Sequence, residues 1–187
     1  MNAFFKRQLA DYVEYHRDPW NCAMHVFGIV TLFFAAILPL SLVPVHAFGA
    51  YTTLATIMAL PVLIYWLLLD AALGTALFGC AVILFAAAAL VADHASITAV
   101  WSLTVPLIVL GITFQVVGHR VFERRQPALV DNPSHLLLGP MFVVAKLFIA
   151  LGFRRDLAAI IGPNPPQTPR GPSPLAEEHQ VEPLPRS

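Results

Sequence analysis

The stretch that decides the fold of this chain runs from Ala99 to Glu123 and reads AVWSLTVPLIVLGITFQVVGHRVFE. Residues 99–118 carry no charged side chain, and about 20 apolar residues in a helix are enough to cross a bilayer. At the end of the stretch, Gln115, His119 and Glu123 recur at four-residue steps and so share one face of an α-helix. Ionisable groups are costly in a membrane and mark functional sites there. The stretch therefore predicts a membrane helix that ends in a candidate site.

The composition extends this interpretation to the rest of the chain. It is 58% hydrophobic and 12% charged, whereas a soluble domain carries about a quarter charged residues. Interior prolines such as Pro61 and Pro106 are tolerated in membrane helices, where they produce kinks. We therefore predict an all-α integral membrane bundle of four transmembrane helices, at about residues 22–42, 47–69, 71–92 and 99–118.

The segment before the first predicted span is polar but patterned. Residues 4–16 are predicted to form an amphipathic helix that lies on the membrane or caps the bundle, with one face made of Phe5, Leu9, Tyr12 and His16. A turn at residues 18–20 follows, and we expect Asn21 to cap the first span. This turn allows His16 to fold back toward His25.

A second apolar stretch follows the site, at about residues 136–153. Lys146 lies in its middle, and a full crossing would carry Arg154 and Arg155 outward, against the charge rule for membrane proteins. An interfacial or re-entrant helix is favoured, although a span from Leu136 to Gly152 stays open. We assign residues 1–161 to one membrane helical domain, and the proline-rich residues 162–187 to a disordered tail.

Positive side chains flank the apolar region on both sides, at Lys6, Arg7, Arg17, Arg120, Arg124 and Arg125. The loops expected on the opposite side contain no Lys or Arg, which predicts cytoplasmic N- and C-termini. This topology brings His16 and His25 to the membrane depth of His119. The absence of a targeting motif favours a bacterial inner membrane. We expect the bilayer as a partner and no nucleic acid, and the sequence leaves the oligomeric state open.

The residue types at this depth are those of a metal site. Neutral imidazole suits iron, zinc and copper, and two or three histidines with one carboxylate are a pattern of non-haem Fe(II). His16, His25, His119 and Glu123 are the candidate ligands. The remaining polar residues are predicted to have supporting roles: the amides of Asn21 and Gln115 orient the imidazoles, and Arg120 and Arg124 contact lipid headgroups or a substrate carboxylate. His46 and His94 lie at the other end and are predicted to be loop or interface residues.

Residues 118–132, GHRVFERRQPALVDN, resemble the signature of a membrane family of 2-hydroxy fatty acid dioxygenases. The resemblance spans about residues 12–155. It includes upstream matches at Tyr15-His16, Pro19, Asn21, His25 and Phe114-Gln115, and downstream matches at Pro140 and Phe142.

This resemblance implies an Fe(II)-dependent dioxygenase that uses O2 to shorten 2-hydroxy long-chain fatty acids by one carbon, through α-oxidation. It places the family's histidines on His16, His25 and His119, with Glu123 as the adjacent carboxylate, and makes His119 and Glu123 the catalytic residues. One departure is Lys146, which stands where the family commonly has a glutamate. His135 matches no family histidine and is left open.

Two other functions are compatible with the pattern. His25 and His119 could be the axial ligands of a haem in an electron-transfer bundle. Alternatively, the polar stripe could serve only to hold helices together in a non-catalytic lipid-binding scaffold. An absorption spectrum and a metal analysis distinguish these possibilities.

Overall fold

The computed structural model of the chain describes residues 2–47, 49–124 and 134–162. Helices dominate these residues, which confirms the predicted all-α architecture. Seven α-helices occur in chain order, at Ala3–Glu14 (α1), Pro19–Ser41 (α2), Leu54–Leu69 (α3), Ala71–His94 (α4), Ile97–Val117 (α5), His135–Ala150 (α6) and Arg155–Ile161 (α7). A π-helical segment, Gly118–Glu123, continues α5. Arg125, the rest of the family string and the predicted tail beyond Gly162 lie outside the described residues.

Within residues 2–47, 49–124 and 134–162, three helices are long and apolar enough to cross a membrane. They are α2 with 23 residues, α4 with 24 residues, and α5 together with its π-helical continuation, 27 residues in all. The number rises to four if the bent pair α6 and α7 forms one span. These apolar helices support a membrane protein with three candidate spans in the described part of the chain.

The predicted span at residues 47–69 is wrong in its first part. Two short antiparallel strands, Pro44–Ala47 (β1) and Ala50–Thr53 (β2), occupy its beginning, with Pro44 opposite Thr53. Gly49 in the turn has a φ of 78°, a conformation that glycine adopts without steric cost. The following helix, α3, has 16 residues and spans about 24 Å, less than the roughly 30 Å hydrocarbon core.

Helix α1 caps one end of the bundle. Its predicted apolar face is buried, because Phe5, Leu9 and Tyr12 belong to a core cluster with residues of α3, α4, α6 and α7. The side chain of Asn2 accepts a hydrogen bond from the Phe5 amide at 2.6 Å and donates one to the Leu68 carbonyl at 3.1 Å. The start of α1 is thereby tied to the end of α3.

The start of α2 differs from the prediction in its capping residue. Asp18, not Asn21, is the N-cap, and its carboxylate accepts hydrogen bonds from the amides of Trp20 and Asn21 at 2.8 and 3.1 Å. Pro19 occupies the first turn, where its missing N–H costs nothing. Because Asp18 caps the helix, the side chain of Asn21 is available for other contacts.

Helices α2 and α5 approach closely through two glycines. A Cβ atom on Gly28 would lie 3.1 Å from the Gly111 carbonyl oxygen and 2.9 Å from Gln115 Nε2. A Cβ atom on Gly111 would in turn meet the Leu32 side chain. Small residues permit such close packing of membrane helices. The approach brings the inner face of α2, with His25, against the end of α5.

Helices α6 and α7 meet at an angle of 118°, and hydrogen bonds from near the start of α6 and from the segment after it reach the end of α3 and the start of α4. Near the start of α6, the Leu137 carbonyl accepts a hydrogen bond from Trp66 Nε1 at 2.8 Å. Beyond its other end, Arg154 pairs with the buried Asp70 carboxylate at 2.9 and 3.0 Å. Burial alone raises the pKa of Asp70, but the hydrogen bonds and charge of Arg154 outweigh it and lower the pKa overall.

Candidate metal centre

Three histidines from three separate segments meet in the interior at one end of the bundle, which we call the histidine end. His16 lies in the turn before α2, His25 in α2 and His119 in the π-helical segment, and their side chains each offer one ligand atom within 4.8 Å of the others. The ring centroids are 4.3 to 4.9 Å apart, and the residues are 2 to 4% exposed. The predicted approach of His16 to His25 is confirmed.

Backbone carbonyls orient two of these imidazoles. His16 Nδ1 lies 2.8 Å from the Tyr12 carbonyl oxygen, and His25 Nδ1 lies 3.1 Å from the Asn21 carbonyl oxygen. A histidine whose Nδ1–H donates to a carbonyl carries its free lone pair on Nε2. Both rings are therefore held with Nε2 available to a ligand.

The cluster has the burial and the unused atoms that a metal site requires. Neither His16 Nε2 nor His119 Nδ1, both buried, has a hydrogen-bond partner among the described residues. Burial, reinforced by the neighbouring His25, lowers the pKa of His16 to about 2, so this ring is neutral at physiological pH. Buried polar atoms are normally satisfied, and a bound ion is one of the explanations for an exception.

The π-helical segment explains where the structure places Glu123. In an α-helix a four-residue step keeps side chains on one face, but here the Arg124 amide bonds to the His119 carbonyl, a five-residue step that widens the turn. Glu123 does not belong to the three-histidine cluster. Its carboxylate instead accepts hydrogen bonds from the Asp18 amide at 2.7 Å and from Asn21 Nδ2 at 3.2 Å. Glu123 thus connects the π-helical segment to the start of α2.

Asn21 lies at the centre of these connections. Its Nδ2 atom also donates a hydrogen bond to the Tyr15 carbonyl at 3.1 Å, and its backbone carbonyl contacts His25. A Cβ atom on Gly118 would collide with Asn21 Oδ1 and would lie 3.5 Å from His25 Nδ1. The glycine before His119 is therefore needed for the backbone to approach this amide.

A cavity of about 260 Å³ adjoins the cluster, and we call it the histidine cavity. Its walls are mainly aliphatic and aromatic residues of α2, α5 and α6. Besides the three histidines, its polar lining residues are Tyr12, Gln115 and His135. The predicted Gln115 thus faces the same space as the cluster.

Tyr12 and His135 were not among the predicted site residues. The Tyr12 ring stacks on His16 with centroids 3.9 Å apart and planes at 6°, and His135 Nε2 lies 3.0 Å from an Asp11 carboxylate oxygen. Tyr12 had a sequence signal only as part of the apolar face of α1. His135 had none, because it meets α1 through the docking of α6.

The two arginines predicted to contact lipid headgroups or a substrate carboxylate lie at the surface. Arg120 and Arg124 are exposed and do not line the histidine cavity. Lys146, at the position of the family's glutamate, donates a hydrogen bond to Cys22 Sγ at 3.1 Å and lies over the Phe142 ring. None of these three side chains belongs to the histidine cluster.

Comparisons with known proteins identify the family. The family described as 2-hydroxy-palmitic acid dioxygenase Mpo1-like matches residues 2–151. The chain is 32% identical over 159 residues to the 2-hydroxy-palmitic acid dioxygenase MPO1 of Saccharomyces cerevisiae, and the aligned region covers 83% of this chain and 86% of the yeast protein. No solved structure matches the chain. The three histidines and the cavity beside them therefore lie within the matched region, and the chain belongs to the 2-hydroxy-palmitic acid dioxygenase Mpo1-like family.

Proposed function

We propose that this protein is a non-haem Fe(II)-dependent dioxygenase that shortens 2-hydroxy long-chain fatty acids by one carbon. The observation that carries the proposal is the cluster of His16, His25 and His119, buried beside a largely apolar cavity. The matched yeast protein is named for the same class of substrate, which supports the assignment.

The chemistry of the three residues fits iron. Imidazole is a common ligand of non-haem Fe(II), and the buried His16 Nε2 and His119 Nδ1 lack other partners among the residues described. His16, His25 and His119 would hold the metal, which would supply the redox chemistry for using O2. Zinc, which has no redox chemistry, would not serve this reaction.

Other residues of the site would orient the ligands and the substrate. The contacts of Glu123 with Asp18 and Asn21 join the segments that carry His25 and His119, so we assign Glu123 to positioning. Such outer partners commonly change metal affinity by about 10- to 100-fold. Tyr12, Gln115 and His135 line the histidine cavity, and we assign to them the contacts with a substrate carboxylate and 2-hydroxyl. The apolar walls would exclude water and hold methylene groups.

The overall reaction balances with one molecule of O2. Oxidative cleavage of the bond between C1 and C2 would release C1 as CO2, convert C2 to a new carboxylic acid, and form one water. The 2-hydroxy acid supplies all four electrons that reduce O2. No external reductant is therefore required by the stoichiometry.

The placement of the site fits a lipid substrate. The positive residues of the sequence flank the histidine end, so we propose that this end faces the cytoplasm of a bacterial cell and that both termini lie there. Helix α6, which is linked to Trp66 near its start and followed by Arg154 paired with Asp70, would be re-entrant or interfacial. A fatty acid in the inner leaflet would then reach the histidines with its carboxylate at the membrane surface.

The histidine geometry does not favour the haem alternative. The rings of His25 and His119 are 4.6 Å apart at their centroids, and the His16 ring lies within 5 Å of each. Axial haem ligands must leave a slot for a wide planar macrocycle between them. The described residues at this position leave no such slot.

The test is to purify the full chain in detergent or nanodiscs, measure its metal content and absorption spectrum, and incubate it with 2-hydroxypalmitate under O2. We expect bound iron without a Soret band, and formation of pentadecanoic acid with O2 uptake equal to product. Activity with zinc alone, or a haem spectrum, would contradict the proposal. An active protein inhibited by an iron chelator and restored by Fe(II) would support it.

A further inference from the structure

A second cavity lies between α2, α3, α4 and α6, and we call it the apolar cavity. Its volume is about 240 Å³. Its walls consist of apolar aliphatic and aromatic side chains, the Met58 thioether and one thiol, Cys80, and none of the described residues that line it is charged or carries an amide side chain. A polar ligand would lose its hydrogen bonds to water in such a space without replacing them. The chemistry of the walls therefore fits a hydrocarbon chain.

The apolar cavity and the histidine cavity adjoin each other at Phe33. This residue of α2 lines both of them. Sequence neighbours line different cavities. On α2, Ile29 lines the histidine cavity and Val30 lines the apolar cavity. On α6, Gly139 lines the histidine cavity and Pro140 lines the apolar cavity. A single aromatic ring therefore stands at the boundary between them.

Phe33 is held in place from the side of α3. Its ring centroid lies 5.9 Å from that of Trp66, and the Trp66 indole donates a hydrogen bond to the Leu137 carbonyl. The boundary between the cavities is thereby connected to α6, which also lines both.

The apolar cavity extends along the bundle, away from the histidines. On α3 its lining runs from Trp66, near the histidine end, to Ala55, beside the β-hairpin. These residues are eleven positions apart, which corresponds to about 16 Å of helix. A chain that starts at the histidines and passes Phe33 would thus continue through the membrane interior.

We propose that the apolar cavity binds the distal part of the substrate's acyl chain and that Phe33 helps to set the accepted chain length. The inference rests on the proposed function, because it takes the carboxyl end of the acid to lie at the histidines. The two cavities adjoin at Phe33, so a chain bound at the histidines would have to pass only this ring to enter the apolar cavity, which argues for the substrate's own chain rather than for the tail of a separate membrane lipid.

Chain-length selection would come from shape. The substrate arrives from a bilayer whose interior is about as apolar as the cavity, so transfer itself gives little selectivity. A filled or blocked cavity instead excludes methylene groups by steric contact. Discrimination of about tenfold or more is within the range that a hydrophobic pocket achieves.

The first experiment fills the apolar cavity. Ala81 of α4 lines it, whereas Ala89 on the same helix is exposed and does not. For Ala81→Phe we expect kcat/KM with 2-hydroxypalmitate to fall about tenfold, and kcat/KM with 2-hydroxyoctanoate to change less than twofold. Ala89→Phe should leave both values unchanged. An equal loss on both acids with a normal unfolding temperature would overturn the inference.

The second experiment opens the boundary. Phe33→Ala should raise the ratio of activity on acids longer than palmitate to activity on 2-hydroxyoctanoate, by about threefold or more. Phe34→Ala is the matched control, since Phe34 lines neither cavity. An unchanged ratio for Phe33→Ala, with the protein folded and active on the short acid, would count against a role of Phe33 in chain length.

A binding measurement separates this inference from the proposed function. A 2-hydroxy fatty acid with a diazirine at its methyl end is photolysed with the metal-depleted full chain in nanodiscs. We expect adducts at Ala59 or Ala81, competed by unlabelled 2-hydroxypalmitate. Adducts only at bilayer-facing residues, or labelling that phosphatidylcholine competes equally well, would contradict the inference. Absence of activity in the iron-loaded protein would instead contradict the proposed function.

Discussion

The two ends of the bundle are built from the same kinds of helix but bury different kinds of side chain. At the hairpin end, where β1 and β2 lie, the core is a small apolar cluster of Ile37, Leu38, Ala55, Ala88 and Val100. At the histidine end, the buried groups include His16, Asn21, His25, Asp70, His119 and His135. Buried polar groups reduce stability unless they are paired. At the histidine end the Asp70 carboxylate is paired with Arg154, whereas His16 Nε2 and His119 Nδ1 have no hydrogen-bond partner among the described residues, as expected of groups kept for a ligand.

The histidines themselves show the same contrast. His46 and His94 at the hairpin end are exposed, and their contacts are local: a ring contact with Tyr51 and a bond to the Leu90 carbonyl. His46 lies in β1 and His94 is the last residue of α4, and their predicted place at the membrane interface stays a prediction. The three clustered histidines are buried, and each comes from a different segment. The candidate site is therefore distinguished from the surface by histidines that are buried and close together, not by the presence of histidine alone.

The largest effect is expected when an imidazole is removed at the histidine end, compared with removal of one at the hairpin end. His119→Ala should lose bound iron and reduce activity by more than about 100-fold, beyond the range typical of an outer partner. His94→Ala, the control at the opposite end, should keep both within twofold. Iron content is measured by elemental analysis and activity with 2-hydroxypalmitate. If His119→Ala kept its iron, the three-histidine assignment would fail.

The next effect tests the close approach at Gly118. Gly118→Ala places a methyl group against Asn21, so we expect a loss of iron affinity of about 10- to 100-fold. Gly79→Ala is the matched control, because a Cβ atom there meets nothing within 4 Å. That variant should be as active as the wild type and up to about 1 kcal/mol more stable, since alanine favours a helix over glycine. Equal behaviour of the two variants would argue against a role for this contact.

Two substitutions of Glu123 test whether this residue binds the metal or only positions other residues. Glu123→Gln retains an oxygen that can accept hydrogen bonds from Asp18 and Asn21, so iron affinity should change by less than about threefold. Glu123→Ala removes both bonds and should weaken iron binding by about tenfold. Iron titrations of both variants measure this. A glutamine variant that loses iron as fully as the alanine variant would show that the carboxylate itself binds the metal.

The smallest effect on activity is expected at the Asp70–Arg154 pair, which stabilises the histidine end without lining its cavity. Asp70→Asn should reduce the free energy of unfolding by about 1 to 3 kcal/mol, because Arg154 loses a buried charged partner. Asp156→Asn is the control: its side chain is 52% exposed, and we expect about 0.5 kcal/mol or less.

The same pair predicts a pH dependence of stability. Folding lowers the pKa of Asp70 from its ordinary value of 3.8, so the ionised carboxylate stabilises the fold above that pH. The contribution is lost as the pH falls below 3.8 through the lowered folded-state pKa. The stability difference between wild type and Asp70→Asn should therefore be constant from pH 7 to about pH 5 and shrink in stronger acid. A difference that grows on acidification would contradict this sign.

Much of the fold could be predicted from local patterns. Long uncharged stretches predicted the crossing helices, because a bilayer requires about 20 apolar residues per helix. The spacing of apolar residues also predicted α1 and its buried face. The β-hairpin was missed because its strands are short and uncharged and lead directly into the apolar helix that follows, and periodicity does not separate a strand from a helix over so few residues.

The site was predictable in its residue types but not in its geometry. His16, His25 and His119 could be singled out because imidazoles near membrane spans are costly. The contacts of Glu123 with Asp18 and Asn21 could not be predicted, because an α-helical step was assumed where the structure has a π-helical segment; its role as a metal ligand stays a prediction. Tyr12 and His135 could not be found, because only the docking of α1 and α6 brings them to the cavity.

The sequence by itself determined the membrane character of the chain, the polar residues at the histidine end and the family string, because these depend on composition and short-range spacing. The tertiary structure alone decided which side chains converge. The features responsible are the wider π-helical turn, the close approach that Gly118 permits, the docking of α6 and the two cavities that meet at Phe33. The convergence of these side chains depends on contacts between residues about a hundred positions apart, and no local sequence pattern predicts such contacts.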